Sequence, residues 1–450
     1  MPIYLMPSDF GIFALALFFS GFLSLASDLG ISTDLVRRKN DVEAALDTAF
    51  VLRLVLSLAL VGVSIAVGVL ASFVYKEQRL QWPIVVLSVG LVLQALSLIP
   101  RTISTRALQF GRAAIPDGFG KISTSFLSIG LAVIGLAYWS PVYGTILGTA
   151  IGTALQLAVT RWTPRGTFDR KIAVEILRFG QFVSLSSLAN YVAHSMDVAI
   201  VGLLLPLAQV GFYSLAVSWG IYFTSNLSSI FRPVGFPVMS HVADEDARRK
   251  KVLKENIRYY GYLGVCLSAG VAVLSRMFVL ALYSSEWAPM ILPMQVLSLA
   301  GLLLGFAGVA TDALYSVGQS KSLAIYSWIE VLLLAIIVPI ATFFGGLPGT
   351  SVAMLFGVSA LTLPTCRKAS EALGLKVVDW WKMTSPAIFA ALVAVPVGVG
   401  LSFLLTPTPP NLAISLVFFL AVYTLGLQAW TRGEFFQDLR NMIRLALSRT

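Results

Sequence analysis

The feature that most constrains this chain is a series of thirteen apolar stretches, most of them about 20 residues or longer, strung along its 450 residues. A helix rises ~1.5 Å per residue, so about 20 apolar residues cross the ~30 Å hydrocarbon core of a bilayer. The stretches are 10–31, 49–75, 82–103, 116–138, 142–160, 179–203, 210–231, 259–283, 290–317, 322–344, 348–365, 385–405 and 412–430. In lipid only helices and closed barrels satisfy their own backbone, and barrel strands show alternating polarity. No such alternation runs here, which predicts an all-α integral membrane protein, a polytopic bundle of about 13 transmembrane helices. Composition settles the medium: 57% of the residues are hydrophobic and 12% charged. A soluble domain carries about 25% charged residues, so this chain cannot cover itself with a polar exterior.

The net charge of +10 does not point to nucleic acid, because the basic residues sit in alternate short loops. Twenty-six of the 32 fall on one side, among them Arg37–Lys39, Arg161–Arg178, Arg248–Arg258 and Arg432–Arg449. The opposite loops hold only Lys76 and Arg79. This asymmetry orients membrane proteins; it predicts a cytoplasmic C-terminus in the cell inner (cytoplasmic) membrane. The loops of the other side (140–141, 204–209, 284–289, 345–347 and 406–411) are too short for a folded domain. The longest basic connection, 240–258, reads as an amphipathic stretch along the membrane surface. Cys266 and Cys366 form no CxxC pair, so neither a disulfide framework nor a metal site is indicated, and no cofactor is expected.

Gly11-Ile-Phe-Ala-Leu-Ala-Leu17 is echoed two hundred residues on by Gly211-Phe-Tyr-Ser-Leu-Ala-Val217. Each copy opens a span that leads to a charged segment, as in transporters built from internal repeats. The second copy has a whole span before it, 179–203, and the first has only Met1–Asp9. The division expected is therefore a lobe at 1–163 with five spans, a lobe at 164–373 with six, and two further spans at 374–450. On this count an initial helix is missing, by truncation or by a misplaced start.

Several motifs carry a family resemblance: Leu5-Met-Pro-Ser-Asp-Phe-Gly11, Leu25-Ala-Ser-Asp-Leu-Gly30, Ala45-Leu-Asp-Thr-Ala-Phe50 and Leu177-Arg-Phe-Gly180. Asn190 with Asp197, Gly211-Phe-Tyr-Ser-Leu-Ala216, and Arg232 through Phe236-Pro-Val-Met-Ser240 continue the pattern. Together they resemble Wzx-type polysaccharide flippases of the multidrug/oligosaccharidyl-lipid/polysaccharide exporter superfamily. That resemblance implies two six-helix lobes around a central cavity, usually with fourteen helices in all. It also implies alternating-access transport of polyprenyl-pyrophosphate-linked oligosaccharide to the outer leaflet for surface polysaccharide biosynthesis. The chain departs from the family in lacking the first helix, and in Leu203, where relatives often carry a basic residue. The partners implied are the lipid-linked oligosaccharide, membrane lipid, and the polysaccharide polymerase and export machinery.

Such a substrate needs hydroxyls and amides for sugar and positive charge for pyrophosphate. Ser187, Asn190, His194 and Asp197 recur at steps of three and four, so they share a helix face; Ser214, Ser218, Tyr222, Ser225, Ser229 and Arg232 do the same along the next span, where Asn226 is a further substrate-binding candidate. Asp117, Lys121, Thr124 and Ser128 make a third stripe, and Thr145, Thr149 and Gln156 a fourth. Polar faces in lipid turn toward protein or a wet cavity, but small hydroxyl residues also serve simple helix packing, and both readings stand. An aspartate deep in a span favours the cavity for Asn190, His194 and Asp197. Arg53 and Lys121 are candidates to meet pyrophosphate; the plain alternatives are snorkelling to the interface and, for Lys121, pairing with Asp117 at i, i+4. Asp28, Asp312 and Glu330 are candidate gate residues, against interfacial solvation, and Arg232 is a candidate for a gate salt bridge or for substrate contact.

Two rival functions compete with this one. An ion-coupled exporter of small amphipathic drugs shares the architecture. A polysaccharide polymerase or glycosyltransferase needs larger extramembrane loops with catalytic carboxylates, and no enzyme activity is expected. The GxxxxGK[ST] phosphate loop is absent from the sequence, so the chain does not itself hydrolyse ATP.

Overall fold

The computed structural model describes residues 4–38, 40–107, 109–160, 162–227, 246–317, 319–431, 433 and 435. The fold is all-α among these residues, and their contacts divide the chain into two compact units, Met1–Gly211 and Phe212–Thr450.

In the N-terminal unit the first helix, α1 (Pro7–Asp28), begins with proline at a position where a missing N–H costs nothing. The Asp9 carboxylate accepts the Met6 backbone N–H at 3.0 Å. The helix stops at Leu29 and Gly30, both at positive φ, and the short α2 (Ile31–Arg37) follows. Its apolar face, Ile31 and Leu35, packs with Ala45, Ala49 and Phe50 of α3 (Val42–Val74), and with Ile172 and Ile176 of α7 (Arg170–Leu204). At 33 residues α3 is about 50 Å long, more than a bilayer core needs. At its far end the hydrogen bond from the Arg79 side chain to Glu77, 2.8 Å, draws the Glu77 carboxyl below its usual range and closes the turn into α4 (Gln81–Arg106).

Two further helices, α5 (Phe110–Val133) and α6 (Trp139–Thr160), form a closely packed hairpin. Thr124 and Ser128 sit where Gly148 and Gly144 leave room, and the Thr124 hydroxyl bonds the Gly120 carbonyl at 3.0 Å. Thr145 and Thr149 likewise bond carbonyls of their own helix, both at 2.7 Å. At Thr124 and Ser128 the small polar residues pack the two helices together. The connection into α7 is held by the Ala45–Phe50 motif: Asp47 accepts from the Arg165 backbone N–H and the Thr167 hydroxyl, and Thr48 from the Asp169 N–H.

Along its length α7 lies against α1. The Tyr191 hydroxyl donates to the Phe18 carbonyl at 2.7 Å, and a Cβ on Gly180 would collide with the Leu29 carbonyl oxygen. At the other end the two sequence repeats meet. A Cβ on Gly11 would strike the Leu207 carbonyl oxygen, and a Cβ on Gly211 would strike that of Pro7. Each glycine thus abuts the residue four before its counterpart, a reciprocal contact that only residues without side chains permit.

The helix that starts there, α8 (Leu207–Val217), continues through a π-helical turn, Ser218–Tyr222, to Phe223–Ser225. In the C-terminal unit α9 (Asp246–Leu282) is a single 37-residue helix. Its first turns carry the basic segment at 246–258, so this part of the expected surface stretch is continuous with a span. After α10 (Ile291–Ser316), α11 (Ser320–Ala372) folds back on itself at Gly346, where φ is 55°. The Thr342 and Thr350 hydroxyls meet across the fold at 2.8 Å. The last two helices, α12 (Val377–Leu404) and α13 (Pro409–Trp430), pack on α9; the buried Tyr423 hydroxyl donates to the Tyr262 carbonyl at 2.7 Å.

Ten helices among the described residues are long and apolar enough to cross a membrane. The difference from thirteen has three sources. The folded α11 holds two of the expected spans, α5 carries Arg112, Asp117 and Lys121, and the span beginning at α8 runs into residues outside the described set.

Candidate functional site

The helices of the N-terminal unit run alternately, so the ends of α1, α4 and α6 share one side with the starts of α3, α5 and α7. On that side the charged residues are tied together. Arg38 pairs with Asp34 at 3.1 Å and Glu175 at 3.2 Å, Arg165 with Glu43 at 3.1 Å, and Arg101 with Asp117 at 3.0 Å. Arg106 donates to the carbonyls of Leu35 and Arg38, which ties α2 to the end of α4.

One ion pair lies deeper. Arg53, three turns into α3 and only 5% exposed, donates through Nη1 to Oδ1 of Asp28 at the last position of α1. The Ser32 hydroxyl donates to the same oxygen at 2.5 Å. The Asp28 carboxylate is 29% exposed, so the pair reaches from a dry interior to an accessible edge. Arg53 Nε is buried and makes no hydrogen bond with the described residues, and neither does the buried Ser57 hydroxyl one turn along α3. A buried donor without an acceptor costs about 1–3 kcal/mol. The arrangement keeps a cation inside the protein with part of its bonding capacity unspent, which suits an anionic ligand.

The other candidates are placed as follows. Lys121 is exposed on α5, and Asp117 pairs with Arg101 in place of the lysine expected at i, i+4. On α7 Asn190 is exposed, His194 is half-buried with Nδ1 at 2.9 Å from the Asn190 carbonyl, and Asp197 is buried at 1% exposure. The shared face is therefore exposed at one end and buried at the other. Tyr222 and Asn226 are both exposed, just after the π-helical turn. Such a turn adds one residue to the helix and re-aims the side chains beyond it, often at functional sites. Asp312 on α10 and Glu330 on α11 are half-buried. Arg232 lies outside the described residues. Of the named candidates the structure brings Asp28 and Arg53 into direct contact. Ser32 and Ser57 escape a reading of the sequence alone; each lies one helical turn from a charged candidate, Ser32 from Asp28 and Ser57 from Arg53, and that spacing was the available signal. Among the described residues there is no cluster of three His, Cys, Asp or Glu side chains fit to hold a metal.

A family model described as "Polysaccharide biosynthesis protein" matches residues 4–292. A Klebsiella pneumoniae protein described as an uncharacterized membrane protein in the cps region is 21% identical over 354 residues, 78% of this chain and 73% of that one. The succinoglycan biosynthesis transport protein ExoT of Rhizobium meliloti is 22% identical over 364 residues, covering 80% and 72%. Among solved structures the lipid II flippase MurJ, in an inward closed conformation, superposes with a TM-score of 0.75 at 14% identity, covering 94% of this chain and 92% of that one. An inward-facing MATE-family multidrug transporter of the MOP superfamily gives 0.65 at 17% identity, covering 83% and 93%. At these identities the structural likeness speaks for the fold alone, an all-α polytopic membrane bundle.

Proposed function

This chain belongs to the polysaccharide biosynthesis protein family, and we propose that it flips polyprenyl-pyrophosphate-linked oligosaccharide from the cytoplasmic to the outer leaflet of the inner membrane, by alternating access. The observation that carries this reading is Arg53, a buried cation balanced by one partly exposed carboxylate and left with an unspent donor. A small cationic drug would gain nothing from such a group; a pyrophosphate would.

In this reading Arg53 and Lys121 meet the pyrophosphate. Asn190, His194, Asp197, Tyr222 and Asn226 meet sugar hydroxyls, and Asp28, Asp312, Glu330 and Arg232 act as gate residues. Asp28 then competes with the substrate for Arg53, so binding and release trade one anion for another without leaving the cation bare. The side bearing Arg38, Arg106 and Arg165 faces the cytoplasm, as the basic loops require, and the C-terminus lies there too. The chain is a transporter and not an enzyme; a polymerase and export machinery would take its product on the far side.

The test is a deletion strain. Lipid-linked oligosaccharide should build up on the inner leaflet and clear when the gene is returned on a plasmid. No build-up, with loss of resistance to amphipathic cations instead, would favour drug export.

A further inference from the structure

Near the ends of α9 and α12 and the start of α10, within the C-terminal unit, lies a cleft of about 350 Å³ with Arg276 in its wall. This is the side poor in basic residues. Arg276 is exposed on a helix long and apolar enough to cross a membrane. Its Nη1 donates to the Ser402 carbonyl at 3.2 Å, and its guanidinium lies 5.0 Å from the centre of the Phe403 ring. Among the described residues no carboxylate pairs with it. A guanidinium offers five donors, and a charge at membrane depth without a counter-ion is expensive.

The rest of the cleft is apolar and open: Leu292 is 50% exposed, Leu299 47% and Phe403 71%. Gln295 adds an amide beside the cation. A helix-capping role accounts for the bond to Ser402, in the last turn of α12, where a cation complements the helix dipole. It does not account for the apolar cleft alongside. The combination of one cation, one amide and an open greasy wall within two turns of the helix ends matches the phosphate and upper acyl chain of a phospholipid.

The geometry points to a binding site for an anionic phospholipid in this cleft, with the headgroup phosphate on Arg276 and Gln295 and an acyl chain along Leu292, Leu299 and Phe403. The site lies within the C-terminal unit and does not depend on what the chain transports. Charge complementarity favours an anionic lipid over a zwitterionic one, whose own cation would oppose the arginine.

Native mass spectrometry of the purified full chain, titrated with phosphatidylglycerol or phosphatidylcholine, tests it. The chain should retain phosphatidylglycerol about tenfold more tightly. The preference should vanish in Arg276→Gln and persist in Arg276→Lys, which keeps the charge and controls for folding. Leu299→Trp, which fills the cleft and leaves the cation, should weaken retention of both lipids. Equal retention of the two lipids by the unaltered chain, or a preference that survives Arg276→Gln, would overturn the proposal. So would displacement of phosphatidylglycerol by inorganic phosphate alone, since a site without use for the acyl chain is not a lipid site.

Discussion

Arg53 and Asp28 carry the sharpest question among single residues, because a buried ion pair is weak evidence for stability. Desolvating two charges costs about as much as their attraction returns, whereas removing one partner leaves a bare charge at about 3–5 kcal/mol. Deletion of either side chain therefore confounds folding with function. Exchanging the two charges, Asp28→Arg with Arg53→Asp, separates them. If the pair only braces α1 against α3, the exchange restores both expression and transport. If Arg53 serves a pyrophosphate, the exchange restores expression while transport stays at least about tenfold down, because the cation has left the buried site for the accessible edge. The second outcome is the one expected, with accumulated lipid-linked oligosaccharide, normalised to protein in the membrane, as the readout. Asp47 and Thr48, in a motif that carried the family resemblance, take as partners the backbone N–H groups of Arg165 and Asp169 and the Thr167 hydroxyl, so they fix a connection.

Among the elements, the meeting of α1 and α8 makes an unusual demand. Glycine inside a helix is less favourable than alanine by about 1 kcal/mol, so Gly→Ala stabilises a helix wherever there is room. At Gly62 of α3 nothing lies within 4 Å of an added Cβ, and Gly62→Ala should raise the melting temperature in detergent. At Gly11 and Gly211 the added methyl meets a carbonyl oxygen of the facing helix. There the same change should lower it, by an overpacking cost of about 1–3 kcal/mol. Opposite signs for one substitution at three helical glycines would establish the contact; a rise at all three would deny it. The repeat itself was legible in the sequence, but its reciprocal docking was not, since periodicity places side chains on a face and says nothing of the helix opposite. The same limit explains Lys121. Spacing offered it Asp117, and the fold gave Asp117 to Arg101 of α4. Nor could hydropathy foresee that the basic stretch at 246–258 continues into α9, because amphipathic charge patterns suit a surface helix and the projecting end of a span equally.

For the molecule as a whole, the fold class was legible, because bilayer thickness and backbone satisfaction leave long apolar segments few alternatives. The family was legible from the motifs before residue 240. The site was legible only in part: composition and spacing nominated Arg53 and Asp28 separately, and their pairing required the packing of α1 on α3. Whether the chain carries an anionic sugar-lipid across the membrane is decided by reconstitution. Purified protein in liposomes loaded with polyprenyl-pyrophosphate-linked oligosaccharide should expose the inner-leaflet sugar to an impermeant glycosidase added outside, with proteoliposomes of the Asp28→Arg/Arg53→Asp exchange at least about tenfold slower. Protection of the inner pool in the presence of the unaltered protein, alongside uptake of an amphipathic cation by the same liposomes, would contradict it.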